Sequence, residues 1–511
     1  MINWQQSIRA FLHPRVITML FFGFSAGIPL ALVFGTLGIW LREAGIDRVA
    51  VTFFSWAALG YSFKFVWAPI VDFLPLPFLD KYLGRRRSWI LVSQISIILS
   101  ILLMCIIDPA AGNTQLTIMA LAAVALGFSS ATQDIVIDAY RIESASIKFQ
   151  ALMSSTYIAG YRIGMIISGA GSLLIASYFG SEMNSYDYEA WQITYFIMSF
   201  FMLIGVATTL IINEPKENKI IKRKYTNYTY IKFFIIFLIA IFCFIGVFLS
   251  SSDISTYLKN ILTEILNNRN FSNFLIELLR LFFALLIASL ITTLSIKIKF
   301  IEKKVFVESY VSPIVDFFQR YGIKLALFLL ILIGLYRISD IVLGVISNIF
   351  YLDIGFSKEE IATIVKIYGP AMTIVGGFLG GILSLKYGVL RILYLGAFLT
   401  VATNLLFMLL STHENHSLLL LSFVISADNL SAGIASAAFV AFLSRLTNIS
   451  FTAMQYAIFS SLMTLIPKIL GGYSGSIVEN IGYTNFFLFA SLLGVPVLLV
   501  IFYINKYLKF D

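Results

Sequence analysis

Charge is scarce in this chain. Asp, Glu, Lys and Arg make up 12% of its 511 residues, against about 25% in an ordinary soluble domain. That leaves too little polar surface to cover a water-soluble particle. Cysteine is almost missing too. Cys105 and Cys243 both lie in apolar runs, which excludes a disulfide framework and suits small core hydrophobes. The three histidines, His13, His413 and His416, fall outside the apolar runs. A His/Cys metal site therefore has no support, and no cofactor and no catalytic residue is assigned. No nucleotide-binding loop and no sizeable stretch of soluble composition is present, which argues against an enzyme. No small-residue cleavage site follows the first apolar run, Val16 to Trp40, so that run is expected to remain as a span.

What the chain does have is hydrophobicity. Apolar residues make up 59% of it and the mean hydropathy is +0.90. A membrane span needs about 20 apolar residues. Fourteen stretches qualify: 16–41, 50–73, 88–107, 114–140, 150–178, 191–212, 230–250, 276–297, 323–351, 360–385, 391–411, 417–445, 452–477 and 484–505. The expectation is an all-α polytopic membrane protein.

The basic residues test the count. With the N-terminus cytoplasmic and sides alternating, the cytoplasmic segments collect Arg9, Arg15, Lys81, Arg85–Arg87, Arg141, Lys148, Lys216–Lys224, Lys297–Lys304, Arg320, Lys386, Arg391, Arg445, Lys506 and Lys509. The opposite segments hold only Arg42, Arg48, Lys259, Arg269 and Lys358. This asymmetry predicts both termini inside. It also explains the net charge of +9 by the bilayer, without a nucleic-acid partner.

Two spans stand apart, 230–250 and 276–297, flanked by the basic stretches Lys216–Lys224 and Lys297–Lys304. Without them six spans precede and six follow. Six plus six with a basic connection is the plan of the major facilitator transporters, whose halves are parallel repeats. The expected domains are 1–215, a six-helix half; 216–322, a basic linker with a lipid-facing helix pair; and 323–511, the second half.

The loop after the second span reads Trp67-Ala-Pro-Ile-Val-Asp72, then Gly84-Arg-Arg-Arg-Ser-Trp89. It resembles the cytoplasmic signature of that superfamily, and it returns in the second half around Gly380–Arg391, with Leu385 where the Asp would stand. Asp72 suits pairing with a basic partner, and the arginines suit anchoring at the inner headgroups. An ordinary positive-inside loop is the plainer alternative.

The resemblance narrows with Gly23-Phe-Ser-Ala-Gly-Ile-Pro, Tyr61-Ser-Phe-Lys-Phe-Val-Trp, Ala131-Thr-Gln-Asp-Ile-Val-Ile-Asp-Ala-Tyr, Gly160-Tyr-Arg-Ile-Gly-Met and Leu335-Tyr-Arg-Ile-Ser-Asp340. These resemble the AmpG muropeptide permease family over about residues 9–215 and 313–505, leaving 216–312 uncovered. The resemblance implies a bacterial inner-membrane, multi-pass permease. It would import N-acetylglucosaminyl-anhydro-N-acetylmuramyl peptides for cell-wall recycling, driven by protons. Its partners would be a small glycopeptide and protons, and a monomer is expected. The divergent middle leaves open a carrier of the same fold for another anionic or amphipathic metabolite.

Polar residues inside apolar runs are the candidate site, because charge in hydrocarbon is costly and is kept mainly where it faces a bundle interior or a wet cavity. The densest stretch is 127–164, with Gln133, Asp134, Asp138, Arg141, Tyr161 and Arg162. The resemblance puts spans one, four, seven and ten of the core around the central cavity. It thereby places Gln133, Asp134, Arg337, Asp340, Asp428 and Asn429 near it. Tyr161, Arg162 and Gln455 complete the substrate- and proton-binding set. Arginine suits carboxylates, and Asn and Gln suit amides and sugar hydroxyls. Burial favours the protonated form of a carboxylate, which proton coupling needs. Asp72, Arg85, Arg86, Arg87, Asp138, Arg141 and Lys386 are the gating candidates. The competing structural role is explicit for Arg337 and Asp340, which are three apart and can simply neutralise each other; Lys64 and Lys468 can brace helices or snorkel. Glycines in the first, fifth, eighth and eleventh core spans predict close helix packing.

Overall fold

The structure, a computed structural model, describes residues 9–46, 54, 59–146, 149–182, 185–215, 225–267, 269–413, 417–471 and 473–508. Arg48, Lys148, Lys216–Lys224, His416, Lys509 and most of the first part of the expected span 50–73 lie outside the described residues. Thirteen helical stretches among the described residues are long and apolar enough to cross a membrane. The polypeptide forms two compact units, Met1–Val71 with Leu76–Lys219 and Phe317–Asp511, and Asp72–Pro75 with Ile220–Asp316.

In chain order the first unit begins with α1 (Pro14–Ala31). Pro29 removes one backbone donor near its end, and a π-helical turn at Leu32–Thr36 carries the span on to Leu37–Glu43. Short helical segments follow at Leu59–Phe63 and Ala68–Phe73. Then come α2 (Arg85–Cys105), α3 (Asn113–Ser144), α4 (Gln150–Ile166) and α5 (Tyr188–Ile211). The second unit contributes α6 (Asn227–Ser250), α7 (Ser252–Leu266) and α8 (Arg269–Lys297). The first unit resumes at Phe317, within α9 (Ser312–Leu335), and continues with α10 (Ile338–Asp353), α11 (Gly369–Tyr387), α12 (Val389–Thr412), α13 (Leu418–Leu446), α14 (Thr452–Gly471) and α15 (Ser474–Tyr507).

Three details differ from the run-by-run expectation. The stretch 323–351 is broken, with Tyr336 and Arg337 between α9 and α10. Gly322 and Gly482 have positive φ, at 72° and 75°, so α9 and α15 each turn sharply just before their longer apolar part. The mid-chain pair carries a third helix, α7, between its two spans.

The tightest packing in the first half is α1 against α4, and it is made by glycine. A Cβ on Gly23 would lie 2.0 Å from the carbonyl oxygen of Tyr157, and one on Gly160 would lie 1.9 Å from that of Leu20. In the second half α11 meets α13 in the same way, since a Cβ on Gly376 would fall 2.1 Å from the Leu430 carbonyl oxygen. Bare backbone lets two helices approach until main chain touches main chain. Away from these seams the halves are filled by large side chains. Trp40 stacks on Trp191 with centroids 5.6 Å apart, and Tyr336 stacks on Phe439 at 4.2 Å.

Candidate functional site

The long helix α3 carries the first group. From Ser129 to Ser144 every residue of α3 is buried, so the polar ones must find partners inside the protein. Asp134 accepts a hydrogen bond from the Tyr157 hydroxyl of α4 at 3.2 Å, and the charges of Lys64 and Asp138 both act on it. Tyr61 donates to Ser130 Oγ (2.6 Å) and Trp67 Nε1 to Thr132 Oγ1 (3.1 Å), holding the segment 59–73 against the same helix. Gln133 points elsewhere. Its Nε2 donates to Ser25 Oγ of α1 at 3.3 Å, while its Oε1 is buried with no partner among the described residues. Gln133 therefore braces α1, and Asp134 alone of the two faces α4.

The second group lies around the break between α9 and α10. Arg337 donates to Asp340 Oδ2 at 2.6 Å and to Ser436 Oγ of α13 at 3.1 Å. Asp428 accepts from Thr403 Oγ1 at 3.4 Å, within electrostatic reach of Asp340 and Arg337. Asn429 turns to α11, where its Oδ1 accepts from Thr373 at 2.9 Å. Arg162, from α4 in the other half, is half-buried and has no hydrogen bond or ion pair among the described residues. It feels the charges of Arg337 and Asp340 across the middle of the unit, with Tyr161 beside it on the same helix. Arg337 and Asp340 thus do neutralise each other, while Arg162 is left with its donors uncommitted.

A third group joins the halves. Arg141 donates to Asp138 Oδ1 (3.0 Å), to Gln150 Oε1 (3.3 Å) and Ser154 Oγ (3.1 Å) of α4, and to Ser444 Oγ of α13 (2.7 Å). Its guanidinium also lies 5.2 Å from the ring centroid of Tyr456 on α14. The side chain is fully buried. Five hydrogen-bond donors in a rigid fork suit this many-sided bracing. Gln455 sits on the same helix as Tyr456, but its Oε1 accepts from Arg320 (3.0 Å) and from the backbone N–H of Asn448 (2.8 Å). It secures the connection between α13 and α14 and is not part of the Asp134 or Arg337 groups.

The arginine loop is held by two acids that sequence reading passed over. Arg86 is buried against Glu143, with Nε 3.1 Å from both carboxylate oxygens, and its Nη1 donates to the Val71 carbonyl at 3.3 Å. Arg85 reaches Glu143 at 3.8 Å. The N-terminus of α2 has Gly84 as its cap and so no capping side chain. Glu214, from beyond the end of α5, supplies the carboxylate instead, accepting from the N–H groups of Arg86 (2.9 Å) and Arg87 (3.1 Å). Burial pushes the Glu214 carboxyl above its ordinary range, against the pull of those two N–H groups. Arg87 spends its side chain on the Thr209 and Leu210 carbonyls (3.0 and 2.8 Å). Asp72 is buried at the end of the segment Ala68–Phe73, and Lys386 lies over the Tyr387 ring at 5.1 Å.

Removing Glu143 tests this loop. Glu143→Ala removes the carboxylate that meets the buried Arg86 guanidinium, and breaking a buried ion pair costs about 3–5 kcal/mol. A lowered thermal midpoint in detergent is expected, with Glu143→Gln intermediate; an unchanged midpoint for the alanine variant would count against the pairing. One signal was available in sequence, since Glu143 follows Arg141 by two residues at the end of an apolar run. Ser444 and Ser436 carried none, because serine is common on packed helix faces.

Comparison with known proteins agrees with the fold. The family model of the Major Facilitator Superfamily matches residues 16–336. A transporter named AmpG 4 in Rickettsia felis is 29% identical, over 96% of this chain and 97% of its own length. The anhydromuropeptide permease of Escherichia coli K12 is 28% identical, over 99% of this chain and 82% of its own. These alignments leave too few residues out to omit 216–312, so the mid-chain unit lies inside the matched length. This revises the expectation that the resemblance skips that stretch. Among solved structures, the proton:xylose symporter XylE superposes with a TM-score of 0.57 at 12% identity, over 98% of this chain and 96% of its own. FucP, solved in an outward conformation, superposes with 0.58 at 12%, over 98% and 99%. At that identity they speak for the fold alone.

Proposed function

Because this chain belongs to the Major Facilitator Superfamily, and so is a transporter of the inner membrane rather than an enzyme, we propose that it imports anhydro-muropeptides from periplasm to cytoplasm with protons. The observation that carries the substrate reading is Arg162. It is a guanidinium inside the bundle with uncommitted donors, facing the Arg337–Asp340 pair of the other half. A peptide carboxylate of the substrate would complete it, since Arg and carboxylate match in a planar, bidentate way. Support for the substrate class also comes from relatives whose names include anhydromuropeptide permease.

Asp134 is the proposed proton carrier. It is buried among Tyr157, Lys64 and Asp138, and a buried carboxylate can exchange a proton instead of holding a fixed charge. Asp138 and Arg141 form the gate. With the expected topology their end of α3 is cytoplasmic, and the bonds from Arg141 to α4 and α13 hold that end closed. The arginines 85–87, with Asp72 and Lys386, shape the loops that move when it opens. Asp340, Asp428, Tyr161, Asn429, Gln133 and Gln455 stand in supporting roles, the first three near the substrate and the last three in helix bracing.

The test is uptake of labelled anhydro-muropeptide into proteoliposomes under an imposed pH gradient. Uptake above empty vesicles is expected. In Asp134→Asn the protein should reach the membrane at a normal level and lose gradient-driven accumulation. Normal accumulation by that variant would remove Asp134 from coupling. No uptake by the unaltered protein would shift the substrate to another anionic or amphipathic metabolite.

A further inference from the structure

The mid-chain unit holds a helix with three differently occupied sides. α7 spans Ser252–Leu266, and at 3.6 residues per turn its residues divide into three arcs. One arc packs on α8. Ser255 is buried, and Lys259 Nζ meets Glu277 Oε1 of α8 at 2.5 Å. Glu277 is held in turn by Arg280, whose Nε donates to the Phe248 carbonyl and to Ser251 Oγ at 3.0 and 2.8 Å. A second arc is polar and exposed, with Asp253, Thr256, Asn260 and Glu264. The third is apolar and also exposed. Ile254 is 64% exposed, Tyr257 67%, Leu258 42%, Ile261 38% and Ile265 70%.

An apolar arc of that size is unfavourable in water, at about 25 cal/mol per Å², and the adjoining polar arc would be unfavourable in hydrocarbon. Only a boundary between the two suits both. The chain also keeps α7 at such a boundary. Ser251 alone separates it from α6, and α8 begins at Arg269. Asn267, in the left-handed conformation that asparagine tolerates (φ 49°), turns the chain into α8. Both neighbours are long enough to span, so neither end of α7 can rise far from the bilayer surface. Phe242 and Ile245 of α6 and Leu279 and Phe282 of α8 are exposed too, as on surfaces that lipid covers in a membrane-spanning hairpin. Beside it, a groove of about 460 Å³ is lined by Cys243, Val247, Ser250, Ile254 and Phe283, apolar enough for part of an acyl chain.

We propose that α7 is an interfacial helix that lies in the plane of one leaflet, with the Ile254–Tyr257–Leu258–Ile261–Ile265 arc set among lipid acyl chains and the Asp253–Thr256–Asn260–Glu264 arc in the headgroup water. The occupant of the apolar face is the lipid itself. Such helices sit about 5–10 Å into the boundary between headgroups and chains.

The test is site-directed spin labelling of the full chain in phosphatidylethanolamine–phosphatidylglycerol vesicles. The background carries Cys105→Ala and Cys243→Ala, with single cysteines at each position from 253 to 265. Accessibility to oxygen is expected to peak at 254, 257, 258, 261 and 265. Accessibility to a water-soluble nickel chelate should peak at 253, 256, 260 and 264, out of phase with the oxygen maxima. Loss of one poorly folded variant leaves the period readable from the others. Nickel accessibility at the apolar positions would place that face in water and overturn the proposal. Exclusion of both probes there would show it covered by protein and overturn it equally.

Discussion

Replacing Arg162 with alanine is expected to raise the half-saturation concentration for a carboxylate-bearing substrate by about 10- to 100-fold, the weight of a charge-assisted hydrogen bond of roughly 1.5–3 kcal/mol. The size follows from what Arg162 does before substrate arrives. Arg337 is already committed to Asp340 and Ser436, so a substrate must compete for it. Arg162 has no such partner among the described residues, and the charges of Arg337 and Asp340 act on it across the middle. A carboxylate would lower the repulsion between the two guanidiniums and meet donors that no described residue occupies. Arg162→Lys keeps the charge and loses the fork, so it should recover only part of the affinity. Arg337→Ala should act differently, because it strands Asp340 as well as removing a cation; its loss should include protein level. Uptake kinetics in proteoliposomes, normalised to folded protein, separate these outcomes. An unchanged half-saturation in Arg162→Ala would end the assignment.

A second large effect is expected at the α1–α4 seam, in folding rather than transport. Gly160→Leu and Gly23→Leu should leave no monodisperse protein in detergent extracts. An overpacked side chain usually costs about 1–3 kcal/mol because neighbours can shift. Here the neighbour is main chain on both sides. A Cβ at 160 meets the Leu20 oxygen and one at 23 meets the Tyr157 oxygen. Relief requires the helices to part, and parting them moves Tyr157 away from Asp134. Even Gly160→Ala should lower the thermal midpoint. Gly35 provides the control, because a Cβ there meets nothing within 4 Å and Gly35→Ala should be silent. A well-behaved Gly160→Leu protein would show that the seam is looser than these distances.

The candidate site was legible in sequence wherever the signal is the oddness of a residue in its surroundings. Asp134, Asp138, Arg141, Arg162, Arg337, Asp340 and Asp428 stand out because a charge within an apolar run is costly wherever that run goes. The spacing of Arg337 to Asp340 even foretold their pairing, since residues three apart on a helix are neighbours. Reading each partner is another matter. Gln133 and Asp134 are adjacent in sequence and looked like one site, but about 100° of helix separates them, and the structure gives one to α1 and the other to α4. Gln455 looked like a cavity residue and secures a loop.

The order of residues along the chain is enough to say which solvent this protein uses, that it is helical, and where charge enters the membrane. These follow from local transfer free energies, which each stretch carries whatever its neighbours are. Which charges are satisfied depends on how the helices pack. Arg141 is joined to a serine 303 residues away, Arg86 to an acid 57 residues away, and Arg162 has no hydrogen bond or ion pair among the described residues while the charges of Arg337 and Asp340 act on it. Packing also decided that α7 should turn an apolar arc outward. Hydrophobicity along a chain says what leaves water; how helices cross says which polar groups meet, and that depends on contacts between residues far apart in sequence.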